Sequence, residues 1–169
     1  MIDTQDYKKV LGAFPTGVTL VTALDEDDRL VGFTASAFSA VSMEPPLVLV
    51  CPSLSSDSYP VIRQTRRYAI HILGDEQQDL AYRFASKGKD KAEGVRWYRS
   101  ELGNALIEGA AAYLECVVWE DYPGGDHAIL VGEVQRLWCD GNESDPLLYC
   151  RGRMGPLPDA LRTQARVAS

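Results

Sequence analysis

The strongest constraint on the fold lies in the last third of the chain. Two long runs of strand-forming residues, "AAAYLECVVWEDY" from Ala110 and "HAILVGEVQRLWC" from His127, are joined at a turn containing Gly124 and Gly125. β-branched and aromatic residues favour extended backbone, and paired glycines allow a tight reversal. A polar turn, "DGNESDP", and the short run "LLYC" follow. Upstream, "GVTLVTAL" alternates as a strand should, "DEDDR" at 25–29 is a polar hairpin tip, and "LVGFTASAF" returns beside it. After Pro45 and Pro46, "LVLVC" is a continuous apolar run expected to be buried on both faces, and "RYAIHIL" adds a further strand.

Helices are short and few. Tyr7, Val10, Leu11 and Phe14 fall at helical spacing after Asp3 and Thr4, either of which can cap, and Pro15 ends the pattern. "SSDSYPVIRQT" offers serine and aspartate caps for a helix carrying Tyr59, Ile62 and Thr65. Asp75 opens another, with Leu80, Ala81, Phe84 and Ala85 directed inward, before the charged loop "SKGKDKAEG". Six or seven strands with two or three helices suggest a mainly β fold, a closed antiparallel barrel with helices on its outside. A chain of 169 residues, 46% hydrophobic, is expected to form one domain over 1–169, with the tail after Pro156 peripheral.

Charge and motif content narrow the chemistry. Seventeen Lys and Arg against 24 Asp and Glu give a net charge of -7 with no basic block, which disfavours nucleic acid as a partner. No apolar stretch approaches the ~20 residues a bilayer requires, and "MIDTQDYKKV" lacks the basic start and apolar run of a signal peptide, so a soluble, cytoplasmic protein is expected. Cys51, Cys116, Cys139 and Cys150 have no C-x-x-C spacing, and three of them lie in apolar runs as buried free thiols do. With only His71 and His127 to add, no metal site is expected. Without a G-x-S-x-G, a Walker loop or a G-x-G-x-x-G, the hard chemistry of an enzyme falls to a bound cofactor.

One stretch departs from what an apolar barrel wall requires. "GFTASAFSAVSMEPPLVLVC", Gly32 to Cys51, begins and ends like buried strand but is filled in its middle with hydroxyls and alanines. In extended backbone Thr34, Ser36 and Phe38 share one side, and Phe33, Ala35 and Ala37 the other. Any single hydroxyl there can simply bond to neighbouring backbone. As a group, the small side chains let a flat ligand approach the strand. One strand later, "CPSLSSDSY" places Ser53, Ser55, Ser56 and Ser58 where a strand feeds a helix N-terminus, a setting that suits phosphate. "FASKGKDK" adds Lys87, Lys89 and Lys91 beside Phe84 and Ser86. A flat polar ring with a phosphate describes a flavin nucleotide.

These segments, with "FPTGVTLVTA", "LIEGAAAYLEC", "GDHAILVGEV" and "PLLYCRGRMG", resemble in their order the flavin reductase-like family of FMN-binding split barrels. The similarity runs from about Tyr7 to Gly155. It implies an antiparallel split β-barrel of the FMN-binding type and an NAD(P)H-dependent flavin reductase. Such an enzyme passes hydride from NADH or NADPH to FMN, or to FAD, and supplies reduced flavin by diffusion to a partner monooxygenase. A homodimer is implied as well. The alternative is a split-barrel flavoprotein that oxidises another substrate, or a binding or redox module without free flavin reduction.

Residue by residue, the resemblance lays Thr34, Ala35, Ser36, Ala37 and Phe38 along the isoalloxazine and gives Ser55 and Ser58 to the ribityl phosphate. Ser86 and Lys91 match helix-end phosphate contacts, and Cys51, Ser53 and Phe84 complete the candidate flavin set. Leu54 stands where relatives often carry a basic residue, and Ala92 where an aromatic often follows the Asp-Lys pair, which leaves FAD open beside FMN. His127 is placed near the flavin face where nicotinamide stacks, as a positioning residue. Arg151 and Arg153 have two readings, surface pairing with surplus acids or contact with dinucleotide phosphates or a second subunit.

Overall fold

The computed structural model describes residues 2–88, 91–141 and 143–162. The chain begins with helix α1 (Thr4–Gly12), followed by strands β1 (Thr16–Gly17), β2 (Thr19–Leu24), β3 (Leu30–Ala35), β4 (Phe38–Met43) and β5 (Pro46–Val50). Helix α2 (Ser58–Thr65) leads into β6 (Arg67–Ile72), and a 3-10 turn at Asp75–Gln77 runs into α3 (Gln78–Ala85). Next come β7 (Trp97–Arg99), β8 (Ala105–Ile107), β9 (Ala112–Gly124), β10 (His127–Cys139), β11 (Leu148–Cys150) and β12 (Arg153–Gly155). No described helix is long and apolar enough to cross a membrane.

Seven strands form one antiparallel sheet in the order β3-β2-β6-β9-β10-β5-β4, while β1-β11-β12 and β7-β8 make two small satellites. The 13-residue β9 and β10 are its spine. Their pairing slips twice, between Val131 and Gly132 and between Val134 and Arg136. An extra residue on one strand bends the pair and strengthens its twist, which lets strands of this length curl. At the first slip a Cβ on Gly132 would lie 2.1 Å from the Tyr68 hydroxyl, so only glycine fits against the buried tyrosine.

The curl does not close. The ladder ends at β3 on one side and β4 on the other, so the barrel expected from the strand count is split between them. Four three-residue or shorter strands, β1, β7, β8 and β12, join those read from the sequence, and the run through Phe38 divides into β3 and β4.

Two hydrophobic clusters explain the burial. One fills the inside of the curled sheet and includes Val21, Phe33, Val50, Ile62 of α2, Tyr68 and Leu130. The other lies outside β2, where Leu20 and Leu24 meet Leu73, Ala81 and Phe84 of α3, and Leu147. Every residue of β2 is therefore buried, where simple alternation would leave one face wet. For β5 the difference is reversed: Val48 and Val50 are buried but Leu47 and Leu49 only partly, because its second face has no covering layer. Of the four free cysteines only Cys116 is fully buried, and Cys139 is exposed at the end of β10.

Capping follows the same local physics. The Asp3 carboxylate accepts from Gln5 N and Asp6 N at 2.8 and 3.0 Å and starts α1. At α2 the N-cap Asp57 makes no side-chain bond, and Ser56 Oγ accepts instead from Ser58 N at 3.3 Å. α1 buries none of its residues: Val10 is 71% exposed, and Phe14 just past its end 73%.

His71 fastens β6 to its neighbours from full burial. Its Nδ1–H donates to Leu20 O at 3.0 Å and its Nε2 accepts from Ile107 N at 3.1 Å, which fixes a neutral tautomer. Burial lowers its pKa from 6.5 to about 4. Between those values the unfolded chain binds more protons, so the stability contribution is complete above pH 6.5 and is lost as pH falls toward 4. Urea unfolding is expected to show a loss on the order of 3 kcal/mol across that window from this residue. In His71→Gln, which is less stable throughout, that increment of pH dependence should vanish.

Candidate functional site

The break between β3 and β4 is bridged by Ser36 and Ala37 alone. Phe38 N–H turns back to Ser36 O at 3.1 Å, a three-residue turn. Among the described residues, the N–H groups of Ser36 and Ala37 bond to no backbone carbonyl, and both residues are exposed. Two cavities meet at this bridge. The smaller, about 430 Å³, lies between it, the loop after β5, the end of α3 and the start of β10. The larger, about 1200 Å³, lies between it, α1, β1 and the β11–β12 turn.

The wall of the smaller cavity is built by docking α3 on β3. Thr34 Oγ1 donates to Ala81 O at 2.7 Å, and the Phe84 ring lies flat against Gly32. A Cβ on Gly32 would stand 2.7 Å from Val21 O and 3.1 Å from the Phe84 ring, so the close approach requires glycine. β3 alternates as the sequence indicates up to Ala35, with Phe33 and Ala35 in the inner cluster and Thr34 outward. Past Ala35 the alternation gives way to the bend.

The facing wall is a pair of turns held backbone to backbone. Leu54 N donates to Asp126 O and Ala128 N to Pro52 O, each at 3.0 Å, and Ser53 bridges His127. The β9–β10 turn itself is Gly125–Asp126, one residue beyond the expected glycine pair, with Gly125 at φ +79°. Ser53 and Ser55 hydroxyls lie 3.0 Å apart, and Ser55 N donates to Ser53 Oγ at 3.3 Å. His127 Nδ1 lies 2.8 Å from Asp126 Oδ1, and Nε2 has no protein partner among the described residues. The His127 ring beside it holds the Asp126 carboxyl below its usual range. Burial pushes the Cys51 thiol up, so it stays protonated at neutral pH.

Of the residues singled out from sequence, Thr34, Ala35, Ser36, Ala37, Cys51, Ser53, Ser55, Phe84, Ser86, Lys91 and His127 line this one cavity. Ser86 Oγ donates to Arg83 O at 2.6 Å and closes the end of α3. Phe38 lines the larger cavity instead, and Ser58 is buried at the first turn of α2, outside both linings. Lys89 lies outside the described residues. Ser56 and Lys87 belong to the smaller lining as well. Charge sets both cavities apart from the rest of a chain with net charge -7: among the described residues, neither lining contains an Asp or Glu. The smaller carries Lys87, Lys91 and His127, and the larger Lys8, Lys9 and Arg151. Cations and hydroxyls without carboxylates suit an anion such as phosphate.

Residues 11–158 match the flavin reductase-like domain family. The chain belongs to that family. This flavin reductase-like protein is 42% identical to a flavin-dependent monooxygenase reductase subunit of Mycobacterium tuberculosis, across 89% of this chain and 81% of that one. Its structure resembles nitrilotriacetate monooxygenase component B from Mycobacterium thermoresistibile at TM-score 0.90 and 36% identity, covering 98% of this chain and 93% of the other. A Streptomyces globisporus NADH:FAD oxidoreductase, solved in complex with NAD and FAD fragments, matches at TM-score 0.86 and 35% identity, covering 95% and 98%. The fold is thus the antiparallel split β-barrel of flavin reductases.

Of the lining of the larger cavity in this flavin reductase-like protein, the sequence singled out Ser36, Ala37 and Phe38, as flavin contacts, and Arg151, as one of two basic candidates. That lining comes from four separated segments that no motif joins. Leu54 is half exposed at the rim, and Ala92 packs against the outer cluster with Val95 and Trp97. Because α3 forms one wall through Gly32, Gly32→Val is expected to lower unfolding stability by about 1–3 kcal/mol, the usual cost of overpacking. Thermal denaturation should show the midpoint falling by several degrees.

Proposed function

We propose that this flavin reductase-like protein is an NAD(P)H-dependent flavin reductase, and that its smaller cavity takes FMN. The observation that carries the reading is the meeting at Ser36–Ala37, whose N–H groups stand outside the ladder, of two cation-bearing cavities whose described linings hold no carboxylate. Such a bridge offers hydrogen bonds to the polar rim of a flat ring, and one cavity on either side accommodates two anionic ligands. FAD is the second reading, favoured by the Streptomyces globisporus relative that binds FAD fragments.

Bound flavin supplies the acceptor for hydride delivered by NADH or NADPH. The chain's own work is to bind and orient. Thr34 to Ala37 form the ring wall, Thr34 indirectly through α3. Ser53 and Ser55, with Ser86, Lys87 and Lys91, form the phosphate end. Cys51 and Phe84 supply its apolar floor. His127, oriented by Asp126 at Nδ1, presents Nε2 to the nicotinamide side and holds it in reactive register. Reduced flavin then passes to a partner oxygenase, in keeping with the reductase subunits this chain resembles.

A homodimer completes this reading. Val10 on α1, Phe14 just after it, Met43 on β4 at 91% exposure, and Trp119 at the β9 bulge at 47% leave apolar surface uncovered. A second copy of the chain is proposed to cover it.

Flavin-dependent NADH or NADPH oxidation by the purified protein tests the function. In stopped flow, His127→Ala should bleach flavin at least tenfold more slowly, equivalent to ~1.4 kcal/mol of barrier, with flavin affinity kept. An unchanged rate returns His127 to a structural role at the turn. Ser55→Ala is expected to weaken FMN about tenfold while leaving riboflavin, which lacks the phosphate, unaffected. Fluorescence titration with both flavins measures the difference, and equal losses would mean that Ser55 shapes the loop only.

A further inference from the structure

We infer that Arg151, assisted by Lys8, holds a phosphate of the nicotinamide dinucleotide in the larger cavity; this rests on the flavin reductase reading. The cavity, at about 1200 Å³, exceeds the ~300–1,000 Å³ typical of a single drug-sized ligand and has room for a dinucleotide. It shares Ser36 and Ala37 with the smaller cavity, so a ligand lying in it reaches the wall where the flavin ring is assigned. Apolar side chains for flat rings, Leu11, Phe14, Phe38 and Tyr149, stand on the same lining.

The cations single out two residues. Lys9 is already paired with Asp6 at 3.0 Å. Lys8 and Arg151 have no carboxylate within ion-pair distance among the described residues, although acids exceed bases by seven in the chain. Surface pairing with surplus acids therefore does not account for Arg151.

The backbone at Arg151 points the same way. Arg151 at φ +51° and Gly152 at φ +79° form the two-residue turn between β11 and β12. Glycine, asparagine or aspartate fits the first position of such a turn, and a long side chain is strained there. The strain is held in place by Arg151 N–H donating to Gly12 O at 2.7 Å at the end of α1, and by the Cys150–Arg153 pairing. The outcome is an arginine on the same cavity lining as Lys8, with five donors for phosphate oxygens.

The test uses full-length protein loaded with FMN. Arg151→Asn keeps a residue that tolerates the left-handed backbone, Lys8→Gln removes the second cation, and Arg153→Gln, outside the lining, controls for net charge. Flavin bleaching is followed against NADH and NADPH concentration, with FMN affinity and oligomeric mass measured in parallel. Arg151→Asn is expected to raise the half-saturating dinucleotide concentration about tenfold and Lys8→Gln severalfold, leaving the saturated rate, FMN affinity and mass unchanged. A rise for NADPH alone assigns the 2′-phosphate, and a rise for both dinucleotides the pyrophosphate; either supports the inference. Unchanged saturation in Arg151→Asn, an equal effect of Arg153→Gln, or a loss that tracks a change in mass overturns it. Wild-type protein that reduces no flavin with either dinucleotide overturns the underlying reading, a result separable from all the others.

Discussion

A sheet that curls without closing has two free edges, and everything at the functional end of this protein follows from how those edges are handled. Edge N–H and C=O groups that are neither paired nor wet are costly, and an uncovered edge invites another strand. Here the β3 edge is sheltered by α3, pressed close by the Gly32–Phe84 contact and pinned by Thr34 to Ala81 O. The chain crosses the gap in two small residues, leaving their peptides free for something other than a strand. The opening thus combines walls held by packing and hydrogen bonds with two N–H groups, of Ser36 and Ala37, that bond to no backbone carbonyl among the described residues.

The facing wall obeys a different rule. Loops position side chains poorly unless their backbones are tied down, and the Pro52–Ser55 and Asp126–Ala128 turns tie each other through two hydrogen bonds and a bridge. Ser53, Ser55 and His127 are therefore carried on two turns whose backbones hold each other in register.

Much of this was readable in the sequence where periodicity is long. The β9–β10 hairpin, the hydroxyl-rich strand after Gly32 and a first helix capped at Asp3 or Thr4 follow from residue spacing, whereas the gathering of Ser55, Lys91 and His127 around one cavity was implied by the family resemblance. Periodicity fails in three places for physical reasons. Strands of three residues such as β7, β8 and β12 are shorter than any pattern can reveal. Burial of both faces of β2, and of only one of β5, depends on whether a second cluster lies outside, which is a property of distant chain segments. The alternation of Thr34, Ser36 and Phe38 continues in the letters past the point where the backbone turns, so Phe38 lands in the other cavity. Ser58 is a hydroxyl like its neighbours, but as the first residue of α2 it is buried outside both cavities.

Helix α1 has the opposite character from the barrel it leans on. Nine residues is below the length at which an isolated helix holds itself in water, and this one buries no side chain. In a lone protomer its attachment is limited to its cap, a few backbone bonds such as that from Arg151 N to Gly12 O, and contacts along one cavity. Such a segment is the first to leave on warming. Because α1 residues line the larger cavity and none of the smaller, detachment of this one helix would dismantle one pocket and leave the barrel and the other pocket standing, so the two cavities need not share a melting temperature.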